Sequence, residues 1–300
     1  MSILDPTPYQ LRPRRSVLYM PGANARALEK AEGLPADALI LDLEDAVAPD
    51  AKADARTRVC AAASRGRYGH REVVIRANGL DTSWFADDVA AIAHSGADAL
   101  LVPKVGSVDD VRAIEAALSS AGAPGDLRIW AMLETPAAVL DARAIVSGSD
   151  RLTGFVVGTN DLAKELRAEH VPGRAPLLTA LSWLVLAVRD AGKVILDGVY
   201  NDLDDPDGFE AECRQGRAFG FDGKTLIHPK QLEACNRIFA PSEEEVAHAR
   251  TVIEAFETAQ AEGRGGVVTV NGRMIENLHV EQARHTLAQA EAISATDADR

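Results

Sequence analysis

The sequence is short of aromatic residues, of cysteine, of long apolar runs and of positive charge, and each shortage removes a class of protein. Aromatics make up 5% of the 300 residues, and no apolar run approaches the roughly 20 residues needed to cross a bilayer. The nearest candidate, 181–188, is brief and carries Trp183 inside it. The opening MSILDPTPYQLRPRRS has Asp and Pro where a signal peptide needs an apolar centre. Cys60, Cys213 and Cys235 are odd in number, far apart and free of any C-x-x-C pairing, which argues against a disulfide framework and fits a reducing, cytoplasmic compartment. With 32 basic against 45 acidic residues the formal net charge is −13, so nucleic acid and anionic membrane are repelled as main partners. There is no G-x-G-x-x-G after a strand, no G-x-x-x-x-G-K-[ST] and no ligand-spaced histidine pair.

What the chain does have is Ala, Val, Leu and Ile, within an apolar fraction of 47%, arranged in a repeating alternation. A short apolar run, a polar or Gly-rich turn and an Ala-rich stretch of helical spacing recur along it. Strands are expected at 16–20, 38–43, 72–77, 99–103, 128–133, 154–157, 194–198 and 223–227. Helices are expected between and after them at 24–30, 50–63, 84–95, 108–119, 135–144, 177–191, 207–218 and 229–237. Eight strands in βα alternation is the number that closes a (β/α)₈ TIM barrel, with the open doubly wound sheet as the structural rival. The division is therefore an N-terminal arm at 1–13, a barrel at 14–240 and a C-terminal extension at 241–300. In the extension, Pro241 stops the chain and S-E-E-E opens a long helix to about Ala261. A glycine-rich break at 262–266, a strand-like run at 267–270, an interruption at Gly272 and a further helix at 280–293 complete it.

In such a barrel the C-terminal strand ends and the loops after them share one face, whatever their separation in sequence. They deliver Asp42, Glu44, Asp45, Arg76, Asn78, Lys104, Glu134, Asn160, Asp161, Asp197, Tyr200, Asn201 and His228 to that mouth. Glu134 and Asp161 follow apolar runs on adjacent strands, and two neighbouring carboxylates repel unless one is protonated or a cation lies between them. Oxygen ligands of this kind suit Mg²⁺, or Mn²⁺ in its place, better than zinc; the competing reading is that each carboxylate caps the helix behind it. Arg76, after a buried strand, has the planar fork that holds a carboxylate or an enolate oxygen, or else forms an ion pair with Glu44 or Asp45 that stiffens the mouth. In LDLEDAV either Glu44 alone or Glu44 with Asp45 reaches the mouth, to hold metal-bound water or Arg76 in preference to ligating the metal directly. Lys104 invites an imine, but so many carboxylates keep it an ammonium. His228 is a base or a loop-fixing residue. Arg14, Arg15, Lys52 and Arg56 are the densest basic material, as a phosphate-bearing ligand needs, although Lys52 and Arg56 also stand i,i+4 on a helix face.

The segments RRSVLYMPGAN from Arg14, LILDLEDAVAPDAKADAR, VVIRANG, LLVPKVGSVDD, MLETPAAVLDA, FVVGTNDLAKEL, DGKTLIHPKQ and GRMIE, in that order, closely resemble the citrate lyase β-subunit-like family of the HpcH/HpaI aldolase superfamily. These are relatives of malyl-CoA and citramalyl-CoA lyases, with a barrel of the pyruvate/phosphoenolpyruvate type. The resemblance implies reversible, Mg²⁺-dependent carbon–carbon cleavage of a β-hydroxyacyl-CoA thioester into an acyl-CoA and an α-keto acid, by a homotrimer or hexamer. It implies Glu134 and Asp161 as metal ligands, Arg76 as the arginine that steadies substrate oxygens and the enolate, and Glu44 and Asp45 as the acidic pair behind the metal. Arg15, Lys52 and Lys104 match basic positions expected to serve coenzyme A. Family members that act as malyl- or citramalyl-CoA lyases carry Asp in a G-x-M-I-D element that reaches the neighbouring subunit's site. Here Glu276 stands in that place, the acid kept and its reach longer by one methylene. Three alternatives stay open: a citrate lyase β subunit acting on a carrier-protein thioester, a metal-dependent aldolase of free acids, and a non-catalytic barrel that only binds.

Overall fold

The computed structural model describes residues 8–263, 268–270 and 273–298. Eight parallel strands close into a barrel in sequence order: β1 Ser16–Pro21, β2 Ala38–Asp42, β3 Glu72–Arg76, β4 Ala99–Val102, β5 Arg128–Leu133, β6 Leu152–Val157, β7 Val194–Asp197 and β8 Gly223–Leu226. β8 returns to β1 through Ser16↔Lys224, Val17↔Thr225 and Leu18↔Leu226, so the sheet has no free edge and the open-sheet rival falls. The strands are buried on both faces, as parallel strands under a helical jacket must be. Leu39, Leu41, Ile75, Leu100, Val102, Ile129 and Leu133 turn outward into the apolar layer beneath the helices. The alternate positions, among them Tyr19, Asp42, Arg76 and Met132, therefore point into the barrel.

The two ends of the barrel are chemically unlike. At the N-terminal end, Arg14 forks onto Glu72 at 2.5 and 3.1 Å and Arg15 onto Asp37 at 2.8 Å through both Nε and Nη2. These buried pairs fasten the start of β1 to the starts of β2 and β3. Inside, Trp130 fills the space opened by Gly154, where a Cβ would come within 2.6 Å of the indole.

Two departures from the expected elements bear on the site. The segment after β6 is a helix, Thr159–Leu166, which is not among the helices expected from the sequence, and the expected helix at 135–144 is split at Asp141 into Pro136–Leu140 and Ala142–Val146. No described helix is long and apolar enough to cross a membrane.

By contacts the chain divides into Arg14–Phe239 and a second unit made of Ala240–Arg300 with the residues before Arg14. The second unit has a core of its own, in which Val252, Phe256, Val270, Ile275 and Val280 bring together helix Glu243–Ala261, the hairpin of β9 Val268–Val270 with β10 Arg273–Ile275, and helix Asn277–Ala298. Ser242 and Glu245 form a capping box at the start of the first of these helices. Of the glycine-rich break, Glu262 and Gly263 end that helix; the remainder, and Gly272, lie outside the described residues.

Candidate active site

The C-terminal mouth is organised around Arg76, the last residue of β3. Its Nε and Nη2 lie 2.6 and 2.8 Å from the two oxygens of Asp42, the last residue of β2, and register places those two residues side by side. Nη1 reaches Glu44 at 2.7 Å, and Asp45, with its side chain 70% exposed, stands off at 3.5 Å. The expected ion pair with Glu44 is present, but Asp42 is the two-pronged partner that fixes the guanidinium plane. Burial alone would raise the Asp42 carboxyl; Arg76 and the N–H groups of Glu44 and Ala46 outweigh it and hold the group below its ordinary range. Glu44 goes the other way. Burial, with Asp45 and Asp42 as like charges, pushes it up to about 7 against the pull of Arg76 and Lys104.

Glu134 follows β5 and is 2% exposed. One of its oxygens accepts the backbone N–H of Lys104 at 2.8 Å. Lys104 takes φ +56° to present that N–H, a left-handed conformation that a residue with a Cβ adopts at some cost and that recurs where a site demands it. The rest of the Glu134 side chain packs on Gly158, where a Cβ would come within 2.5 Å of the Glu134 Cβ. Burial pushes Glu134 up to about 7, reinforced by Glu44 and Asp161 against the Lys104 N–H and Arg76. Asp161 sits in the first turn of Thr159–Leu166, so it arrives from a helix start and not from the strand itself. A buried carboxylate with one oxygen uncommitted, and further carboxylates around it, fits a divalent cation that takes oxygen ligands. Among the described residues no group of three or more His, Cys, Asp or Glu is placed to hold a metal, so Glu134 and Asp161 would need ligand or water oxygens beside them, which is the habit of Mg²⁺.

Several expected contacts to the mouth are absent. Arg15 is spent on Asp37 at the opposite end of β1, so it cannot serve a ligand at the mouth. Lys52 is 6% exposed, with Nζ 2.7 Å from the carbonyls of both Leu43 and Glu44 and 5.3 Å from the Trp84 ring; it braces the β2 loop and offers little to a phosphate. Arg56 pairs with Asp88 at 2.7 Å, and Asp88 also holds Asn78. Asp197 turns outward to Arg174 and Lys224. His228 accepts the Lys230 N–H and closes a capping box with Gln231, the loop-fixing role. Asn160 and Asn201 bond to each other, at 3.2 and 2.8 Å. Of Arg15, Lys52 and Lys104, Lys104 is the one with an exposed side chain at the mouth. Its side chain is 54% exposed and lies 3.8 Å from Glu44, and Glu44, Asp161 and Glu134 outweigh partial burial to raise its pKa, so it stays an ammonium and forms no imine readily. An open recess runs from the mouth between the β2 and β3 loops, lined in part by Glu44, Lys52, Asn78, Trp84 and Lys104. Glu276 belongs to the second unit, between β10 and helix Asn277–Ala298, and its N–H donates to His279 Nδ1 at 3.1 Å.

Sequence reasoning passed over Tyr19. It lies on β1 two residues before the strand's end, its ring 4.9 Å from the Arg76 guanidinium carbon. Burial, with Asp42, Glu134 and Glu44 nearby, keeps its hydroxyl protonated far above the ordinary range despite Arg76. The signal was in the alternation: Leu18 and Met20 are outward core residues, which turns Tyr19 inward.

Glu134 after β5, Asp161 in the first turn of the helix after β6, and Arg76 locked on Asp42 all lie within the stretch that a family profile covers. The HpcH/HpaI aldolase/citrate lyase profile matches residues 15–229. The chain belongs to the HpcH/HpaI aldolase/citrate lyase family. It is 51% identical over 287 residues to a (3S)-malyl-CoA thioesterase of Cereibacter sphaeroides (strain ATCC 17025 / ATH 2.4.3), covering 96% of this chain and 98% of that one. It is 38% identical to the citrate lyase subunit beta of Escherichia coli (strain K12), across 93% and 94% of the two chains. Among solved structures it is similar to the protein CitE from Mycobacterium tuberculosis in complex with magnesium, acetoacetate and coenzyme A. The TM-score is 0.74 and the identity 27%, over 92% of this chain and 97% of that one.

Proposed function

We propose that this chain is a Mg²⁺-dependent carbon–carbon lyase of β-hydroxyacyl-CoA thioesters such as malyl-CoA or citramalyl-CoA, releasing an acyl-CoA and an α-keto acid. The observation that carries it is the pairing of Glu134 and Asp161 beside Arg76 at one mouth, in a family whose relatives include a CitE solved with magnesium and coenzyme A. Glu134 and Asp161 would hold the ion, with substrate oxygens completing its shell. When bound, Mg²⁺ supplies polarisation of the keto-acid oxygens and offsets their charge. Arg76, held rigid by Asp42, presents a fixed donor to the oxygen on which negative charge develops, without reorganising as the reaction proceeds. Cleavage requires the hydroxyl proton to leave, the carbon–carbon bonding pair to move onto the thioester as an enolate, and the enolate to gain a proton. Glu44, raised toward 7, is suited to hold or release a proton near neutral pH, and Lys104 offsets negative charge at the entrance. Glu276 is proposed as the proton-transferring acid of a neighbouring subunit in a homotrimer or hexamer, and the three free thiols suit a cytoplasmic enzyme.

A second reading, hydrolysis of the same thioester, is favoured by the similarity to (3S)-malyl-CoA thioesterases of Cereibacter sphaeroides at 50–51% identity. The products separate the two. Incubated with (3S)-malyl-CoA and Mg²⁺, a lyase gives acetyl-CoA and glyoxylate with no free thiol, whereas a thioesterase gives malate and free coenzyme A. Turnover of a free hydroxy acid would point instead to an aldolase of free acids, turnover restricted to a carrier-protein thioester to a citrate lyase β subunit, and no turnover with any of these to a binding module.

A further inference from the structure

Tyr19, Arg76 and Met132 meet at the floor of the mouth. The Tyr19 Oη lies 3.9 Å from the Met132 sulfur, and Arg76 Nη1 lies 3.8 Å from the same atom. A thioether is a weak acceptor. Among the described residues the Tyr19 hydroxyl has no oxygen or nitrogen acceptor, so its donor capacity is unspent. It is nevertheless held in place, because its ring lies against a guanidinium that Asp42 and Glu44 fix. Two oriented donors, one neutral and one cationic, thus stand on either side of a weak acceptor, and an oxygen entering beside that sulfur would be the better partner for both.

We propose that the Tyr19 hydroxyl contacts substrate, sharing the thioester carbonyl oxygen with Arg76 Nη1. The inference rests on the functional reading above, in either of its forms. The hydroxy-acid oxygens are those a cation at Glu134 and Asp161 would take, which leaves the thioester oxygen as the acceptor for the donors beside them. In carbon–carbon cleavage that oxygen receives the electron pair of the breaking bond and becomes an enolate oxygen; in hydrolysis it becomes the oxyanion formed by water addition. Tyr19 keeps its proton in both cases and donates a hydrogen bond that strengthens as charge builds.

Tyr19→Phe keeps the ring on Arg76 and removes only the hydroxyl. Loss of one such donor lowers kcat by roughly 10²-fold, with KM changed far less, and with melting temperature and calorimetric Mg²⁺ affinity unaltered. Acetyl-CoA labelled with carbon-13 at its thioester carbonyl gives a second readout. Its infrared carbonyl stretch falls on binding the wild-type protein and returns toward the free value in Tyr19→Phe. Wild-type protein that neither turns over nor binds an acyl-CoA overturns the functional reading itself. An active wild type with a Tyr19→Phe variant unchanged in kcat and in the bound carbonyl stretch overturns the role of Tyr19 alone.

Discussion

At the scale of single residues, the mouth is held by a few contacts with separable consequences. Glu134→Gln and Asp161→Asn are each expected to weaken Mg²⁺ binding in calorimetry with a keto acid present; unchanged affinity in both would remove them as ligands. Gly158→Ala should do the same without touching any charge, because the new methyl displaces the Glu134 side chain. Arg76→Lys should fold and keep its charge, yet lose roughly 10²–10³ in kcat, since an ammonium cannot reproduce the two-pronged hold on Asp42 together with a third donor. The pH dependence has a defined sign. Glu134 and Glu44 are each raised by burial from 4.5 to about 7, so the metal-free fold binds their protons more tightly than the unfolded chain does. Their contribution to stability is full below about 4.5 and is lost as pH rises to about 7. Mg²⁺ needs the ionised form, so its affinity should climb about tenfold per unit toward pH 7 and then flatten. Titrations in buffers of different ionisation enthalpy should register proton release below that point, and a flat profile would contradict the burial argument. Residue types at strand ends made most of this site legible in the sequence. The Arg76–Asp42 lock was missed because LDLEDAV holds three acids within four positions, and spacing does not say which one the arginine selects.

At the scale of elements, the eight strands were readable because strands buried on both faces are nearly uninterrupted apolar runs, and the observed ends differ from expectation by at most two residues. The helix Thr159–Leu166 was not, since GTNDLAKEL opens with residues typical of turns and buries only Thr159, Leu162 and Ala163. Its existence matters, because it delivers Asp161 from a helix start, where a carboxylate is favoured by the helix dipole. β7 supplies the opposite lesson. Asp197 ends the strand on the same face as Ile195, an outward core residue, and so faces Arg174 at 2.6 Å and Lys224 at 3.1 Å instead of the mouth. These charges are fully or almost fully buried; burial opposes their ionisation, and mutual attraction holds Asp197 below and Lys224 above their ordinary ranges. Removing one member strands the others, so Asp197→Ala should cost about 3–5 kcal/mol. Denaturant unfolding would show this loss beside an unchanged Mg²⁺ affinity. A variant that lost metal binding at native stability would return Asp197 to the site.

At the scale of the whole molecule, the question is whether one chain carries a complete site. Arg76, Glu134 and Asp161 belong to the barrel unit, while Glu276 belongs to the second unit, at the junction of β10 and the helix Asn277–Ala298. It stands about fifty residues beyond β8, past a nineteen-residue helix, so its segment can serve a barrel other than its own. A segment that closes over a large thioester also keeps water from a reactive enolate, which gives sharing a chemical purpose. Arg76→Ala and Glu276→Ala are each expected to be inactive in isolation. If the acid is supplied by a neighbour, mixed oligomers contain some mouths with both Arg76 and Glu276, and part of the activity returns. Subunit exchange is established first by mass spectrometry, so that recovery is read only from oligomers known to be mixed. With random mixing of equal amounts, about one mouth in four receives an intact barrel and an intact neighbouring acid, which sets the recovery expected from simple combinatorial assembly. Mixed oligomers without recovery would end the shared site, because an acid used within its own chain is never reunited with the missing arginine. An undiminished Glu276→Ala enzyme would end the catalytic assignment itself and leave Glu276 as the residue that begins the last helix.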